Sequence, residues 1–167
     1  MDYTFYMNEL TELLDYQTWA TTKTLDSSAK LSEEQLHRDL GSSFKSVFET
    51  LVHLYGADRA WLGRLQGQSP ARPNPSDYQN LEILRTAWEV VLESWKTTVS
   101  KLEHPKLVIH YLAYNGDPFS SSLEEIVRHV VNHGTYHRGQ VTAMQRMLGA
   151  EAVGTDLISF YRTRKNP

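Results

Sequence analysis

The chain has 167 residues, a formal net charge of -3 with histidine neutral, 40% hydrophobic and 22% charged residues, and no cysteine. These values fit one globular domain over residues 1–167 with a core of its own, and they exclude disulfides, thiolate metal sites and a cysteine nucleophile. No Lys/Arg block supports nucleic-acid binding, no run of about 18 apolar residues spans a membrane, and the N-terminus lacks the basic and apolar regions of a signal peptide, so the cytoplasm is the expected location.

Phe5, Leu10, Leu13, Leu14, Gln17 and Ala20 recur at spacings of three and four and predict a first helix over residues 5–27. Residues 31–42 are polar and irregular. A second helix is expected from Ser42 or Ser43 to about Gln66, with Phe44, Val47, Phe48, Leu51, Leu54, Tyr55, Leu62 and Leu65 inward. The segment Gly67–Pro75 contains Pro70, Pro73 and Pro75 and cannot be helical. A third helix reads from about Asp77 to Glu103, with Leu81, Leu84, Trp88, Val91, Leu92, Trp95, Val99 and Leu102 inward. Residues 107–121 change period: β-branched and aromatic residues lead into Asn115-Gly116, a turn signal, and predict a two-stranded ribbon. Ser122-Leu-Glu-Glu125 fits a capping box that opens a fourth helix, running to Leu148 before Gly149. A short last helix follows Gly154-Thr155-Asp156, with Leu157, Ile158 and Phe160 docking on the bundle. The expected fold is all-α: an up-and-down four-helix bundle with a short β-hairpin before the last long helix and a short C-terminal helix.

The fourth helix carries the chemistry. His129, His133 and His137 recur every four residues, so their rings share one face, and two imidazoles at i and i+4 can converge on one metal ion. Ile126, Val130, Val141, Met144, Met147 and Leu148 surround that face, while Arg128, Arg138, Thr142 and Arg146 wind to the far side. His129 and His137 are two turns apart, about 12 Å of rise, too far for one ion. Spacing therefore assigns the metal to His133 and His137 and leaves His129 as a supporting or pocket residue.

A catalytic site usually adds a third protein ligand and keeps a position open. His53 is the best candidate, although it lies nearly opposite the main apolar stripe of its helix. Its own face holds Glu49, Gly56, Ala57 and Ala60, small enough for another helix to approach. His37 and His104 read as solvated, and His110 faces either side of the ribbon. Arg138-Gly139 reads as a helix-packing device, the glycine allowing close approach and the arginine reaching a carboxylate.

With Leu51-Val-His53-Leu-Tyr-Gly-Ala-Asp-Arg-Ala-Trp61, Tyr114-Asn-Gly-Asp-Pro-Phe119 and His129-Val-Val-Asn-His-Gly-Thr-Tyr-His-Arg-Gly-Gln140, the chain resembles the DinB-like (damage-inducible) family of metalloenzymes over nearly its whole length. The resemblance implies a three-histidine site with an open coordination position, its ligands falling on His53, His133 and His137. It implies a divalent transition metal, zinc or nickel first, and a homodimer. Relatives include transferases and isomerases that use low-molecular-weight thiols such as bacillithiol or mycothiol, and many members have no assigned reaction. The family's name describes induction, not DNA binding.

Neutral imidazoles leave a bound ion fully dicationic, able to acidify water or a thiol. The metalloprotease pattern needs Glu directly after the first His of the pair; Gly134 stands there, so peptidase chemistry is rejected. Glu49, one turn before His53, and Tyr136 are the candidate proton-transfer residues, and Gln140 the candidate to hold a water or a ligand's outer contact. The reading is a metal-dependent enzyme on a small-molecule substrate, by thiol S-transfer or hydrolysis. Its rivals are a metal-binding module without catalysis and a metal-free structural or dimerisation domain.

Overall fold

A computed structural model describes residues 3–165. The elements are α1 (Thr4–Ser28), α2 (Glu33–His37), α3 (Val47–Leu65), α4 (Leu81–Val99), β1 (Val108–Leu112), β2 (Pro118–Ser122), α5 (Leu123–Met147) and α6 (Leu157–Lys165), with a 3₁₀ turn at Pro75–Asp77. The all-α bundle, the antiparallel hairpin before the last long helix and the short final helix are as expected from the sequence. Among the described residues no helix is long and apolar enough to cross a membrane.

Local chemistry sets the helix ends. The Ser122 hydroxyl accepts from the Glu125 amide, and the Glu125 carboxylate accepts from the Ser122 amide, completing the expected capping box. Ser32 and Gln35 build a second box that opens α2, where the sequence reading saw only irregular chain. α3 starts later than expected. Lys45 has φ 56, a left-handed conformation that no helix accommodates, and Ser46 caps the helix by accepting from the Glu49 amide at 3.2 Å. Phe44 therefore lies outside α3 rather than on its apolar stripe. α4 is shorter than read: Asn80 caps its start, and the 3₁₀ turn takes up Pro75–Asp77.

The core joins the predicted stripes of α1, α3, α4 and α5, with Trp88, Trp95, Leu51 and Leu84 almost fully buried. Three apolar residues depart from their expected place: Phe5, Met147 and Ile158 are exposed. α6 docks through Phe160, which packs with Tyr16, Ala20 and Val131.

Helix order around the bundle matters for the site. α1 packs against α4 and α5, and α3 likewise packs against α4 and α5. α5 and α3 are thus each buried on two sides. That is why Arg138, expected on the far side of α5, is 1% exposed. It faces α1, where its guanidinium donates to Gln17 Oε1 at 2.9 Å, the Tyr16 hydroxyl at 3.3 Å and Thr135 Oγ1 at 3.1 Å. Gln17 in turn donates to both oxygens of buried Asp58 on α3, at 3.2 and 3.4 Å. The Trp88 indole N–H donates to the same carboxylate at 2.7 Å, and the Trp95 indole to the Asp58 carbonyl at 3.0 Å. One polar network thus ties all four long helices together, and its two charges are joined through a shared amide.

The close approach occurs at Gly134, not at Gly139. A Cβ on Gly134 would stand 2.6 Å from Gln17 Oε1 and 2.6 Å from Arg138 Nη1, whereas one on Gly139 would meet nothing within 4 Å.

Candidate metal centre and its cavity

His53 lies on the α3 face turned toward α5, and His133 and His137 lie one turn apart on α5. His53 Nε2 stands 3.1 Å from His133 Nε2 and 3.2 Å from His137 Nε2. These three rings form a group among the described residues whose ligand atoms all lie within 4.8 Å of one another. Hydrogen bonding alone does not account for the arrangement, because a single N–H on His53 satisfies only one of its two facing nitrogens. A cation satisfies all three. Two nitrogens about 2.05 Å from a common ion stand about 3.3 Å apart in tetrahedral geometry and about 2.9 Å apart at right angles. The His53 separations fall between these values, so the donor set fits a divalent transition ion.

The surroundings prepare the rings as ligands. His137 Nδ1 lies 2.7 Å from Gln140 Oε1. An amide oxygen only accepts, so the ring proton sits on Nδ1 and the Nε2 lone pair faces the other histidines. Burial holds His53 down to about 4, with His137 and Arg72 adding to the effect. Burial first, then His137, His53 and His129, holds His133 down to about 4 as well. Both rings are neutral, and free to ligate, at physiological pH. Phe44 stacks on His53 with ring centroids 4.0 Å apart and planes at 18°, which fixes the ring's orientation. That role, unlike a place in the core, was not read from the sequence.

His129 stands one turn before His133, outside the triad and exposed, edge-on to Trp61 at 5.0 Å. His37 is paired with Glu33 at 3.5 Å and His104 and His110 are exposed, all away from the triad. Tyr136 is 64% exposed and meets His137 edge-on at 4.9 Å. Glu49 lines the cavity that the triad borders.

That cavity measures about 430 Å³ and has His53 and His133 in its wall. The small residues of α3 are what make it. Gly56, Ala57 and Ala60 line it, so the face that meets α5 at His53, as its small residues led one to expect, also leaves open space beside that contact. α3 ends in a Schellman turn at Gly67, with φ 72, the Gln68 amide donating back to Gly63 O at 2.7 Å and the Gly67 amide to Arg64 O at 3.2 Å. The turn sends the proline segment back along α3. A Cβ on Gly63 would stand 2.7 Å from Pro70, and one on Gly56 would stand 2.6 Å from Pro73. Two glycines seven residues apart are therefore the seats for two prolines, and the segment forms a cavity wall. The hairpin closes the far end through Tyr114, with Tyr111 packed on Trp61 at 5.1 Å.

A helical bundle with three convergent imidazoles beside a lined cavity defines the class of protein. The model of the DinB family matches residues 7–166, and the chain belongs to that family. It is 25% identical over 153 residues to Protein DinB of Bacillus subtilis (strain 168), an alignment covering 87% of this chain and 89% of that protein. Its fold is similar to the crystal structure of a DinB-like protein from Bacillus cereus ATCC 10987, with a TM-score of 0.63 at 17% identity, covering 85% of this chain and 94% of that one.

Proposed function

We propose that this protein is a cytoplasmic metal-dependent enzyme acting on a small molecule, with His53, His133 and His137 as ligands of one divalent transition ion, zinc or nickel. The observation that carries the reading is the meeting of three Nε2 atoms from two helices at the wall of an accessible cavity. A divalent ion held there supplies Lewis acidity that lowers the pKa of a water or a thiol. The chain's own groups do the rest. Gln140 keeps the His137 lone pair pointed inward, and Phe44 keeps the His53 ring in plane. Glu49, in the cavity wall one turn before His53, is the residue assigned to take a proton from the substrate, with Tyr136 as the second assigned proton-transfer residue. With no cysteine in the chain, any sulfur nucleophile comes from the substrate. Thiol S-transfer with a low-molecular-weight thiol is the leading reaction, and hydrolysis the other. The family resemblance also supports a homodimer, which sedimentation velocity tests directly.

Elemental analysis of purified protein is expected to find about one ion per chain. His137→Ala is expected to abolish retention and His37→Ala to leave it intact; equal retention in both overturns the ligand assignment. A screen of thiols with electrophiles, run with and without chelator, is expected to show chelator-sensitive turnover. Stoichiometric metal without turnover against any pair would return the protein to a binding role.

A further inference from the structure

The same cavity holds two cations with no acidic partner. Arg64 lies on the His53 face of α3, since residues 53, 57, 60 and 64 fall in one stripe. It is only 9% exposed, yet no hydrogen bond or ion pair is made by its guanidinium to a described residue. Aromatic rings hold it instead: Trp61 at 4.3 Å, Tyr111 at 5.0 Å and Tyr114 at 5.4 Å. Arg72, carried by the proline segment, lies over the same Tyr114 ring, at 4.3 Å, and it too has no carboxylate partner. Both arginines line the cavity with His53 and His133. Glu49, in the wall near His53, pairs with neither.

A guanidinium held over aromatic rings with no counter-charge keeps its N–H donors free for a ligand. We propose that Arg64 and Arg72 form an oxyanion subsite, and that the substrate is a small molecule bearing a carboxylate or similar group well removed from the atom that reacts at the histidine triad. The inference rests on the function proposed above and deepens it. The spacing sets the size of the guest. Arg64 follows His53 by eleven positions (53 to 64), about 16 Å of helix rise, and its side chain leans back toward the N-terminus of α3. A guest bridging both ends is extended, several bonds long. The forked geometry of two arginines favours a planar carboxylate, held by paired N–H donors, over a halide-like point charge. The two elements that carry them, α3 and the proline segment, are locked together at Gly56 and Gly63, so the pair is positioned before the guest arrives.

Two matched probe pairs test this. On cobalt-loaded protein, the thiolate-to-cobalt absorption band is titrated with 6-mercaptohexanoate and with 6-mercaptohexan-1-ol, which differ only in the charged end. The acid is expected to bind about tenfold more tightly. Arg72→Gln, at an exposed position, is expected to lose most of that ratio, and Arg64→Gln the remainder. If Arg64→Gln fails to fold, Tyr114→Leu, which removes a ring from under both cations, serves in its place. On metal-free protein, hexanoate and hexanamide are compared through the Trp61 indole N–H signal in ¹H–¹⁵N spectra; only hexanoate is expected to shift it saturably. Equal affinities within both pairs, or a preference that survives Arg72→Gln and Tyr114→Leu together, overturns the subsite. A hexanoate-specific shift with no cobalt uptake keeps the subsite and sinks the metal reading. Thiolate binding without any preference for the acid does the reverse.

Discussion

Asp58 shows most clearly what single residues contribute. Burial pushes its carboxyl up to about 6, against the opposing pull of the Trp88 and Gln17 hydrogen bonds and the Arg138 charge. The group is therefore ionised at neutral pH, its oxygens occupied entirely as acceptors. Because the folded value lies above the unfolded one, the native state keeps this proton where the unfolded chain has lost it. The stabilisation is fully present below about 3.8 and is lost as the pH rises through about 6. Denaturant unfolding of the wild type and Asp58→Asn from pH 4 to pH 7 tests the sign. The advantage of the wild type is expected to shrink between pH 4 and 6 and to level off above; a gap that widens with pH refutes it. Neither Asp58 nor its link to Arg138 was legible in the sequence, and the reason is geometric. A helical wheel gives each helix one inward face, whereas α3 and α5 each touch two helices, so the polar "far side" is itself an interface. The histidines were legible because their spacing matches the helical repeat on one element. Their union with His53 was not legible from spacing, because no repeat links two separate helices; the small-residue face around His53 and the family resemblance carried it.

Among the elements, α1 and α5 meet at Gly134, where neighbouring polar side chains fill the space a Cβ would need. Gly134→Ala is expected to destabilise by about 1–3 kcal/mol through that overpacking. Gly139→Ala, with open space and a helical backbone, is expected to be neutral or to stabilise by up to about 1 kcal/mol. Parallel denaturation curves decide it, and similar losses at both positions would show that crowding by Gln17 and Arg138 is not the cause. Element boundaries were legible where a serine and an acidic or amide residue three positions on declare a cap. Ser32 with Gln35 and Ser46 with Glu49 carry the same signal, and Ser46, not the expected Ser42 or Ser43, is the cap of α3. The proline segment was correctly read as non-helical, but its role as a wall depends on glycines of a different element, a contact that no local pattern encodes.

The bundle as a whole places chain neighbours α1 and α3 on a diagonal, and α4 and α5 likewise, since their principal contacts run between the two pairs. The triad therefore spans the α3–α5 contact, the same contact that Asp58, Gln17 and Arg138 brace from the other side. An ion shared across it binds the folded arrangement and not the open chain, so it stabilises by linkage, about 2.7 kcal/mol at a free concentration one hundred times its dissociation constant. Thermal melts with added zinc or nickel and after chelation are expected to separate by several degrees, and His137→Ala is expected to erase the difference. Coincident melts would show that no ion bridges the two helices. The cavity also divides its labour: the nitrogen cage rides on rigid rods, while much of the opposite wall belongs to a strap of prolines seated in two glycine notches. Descendants of this architecture are free to rewrite the strap, and with it the choice of guest, while the cage that does the chemistry stays as it is.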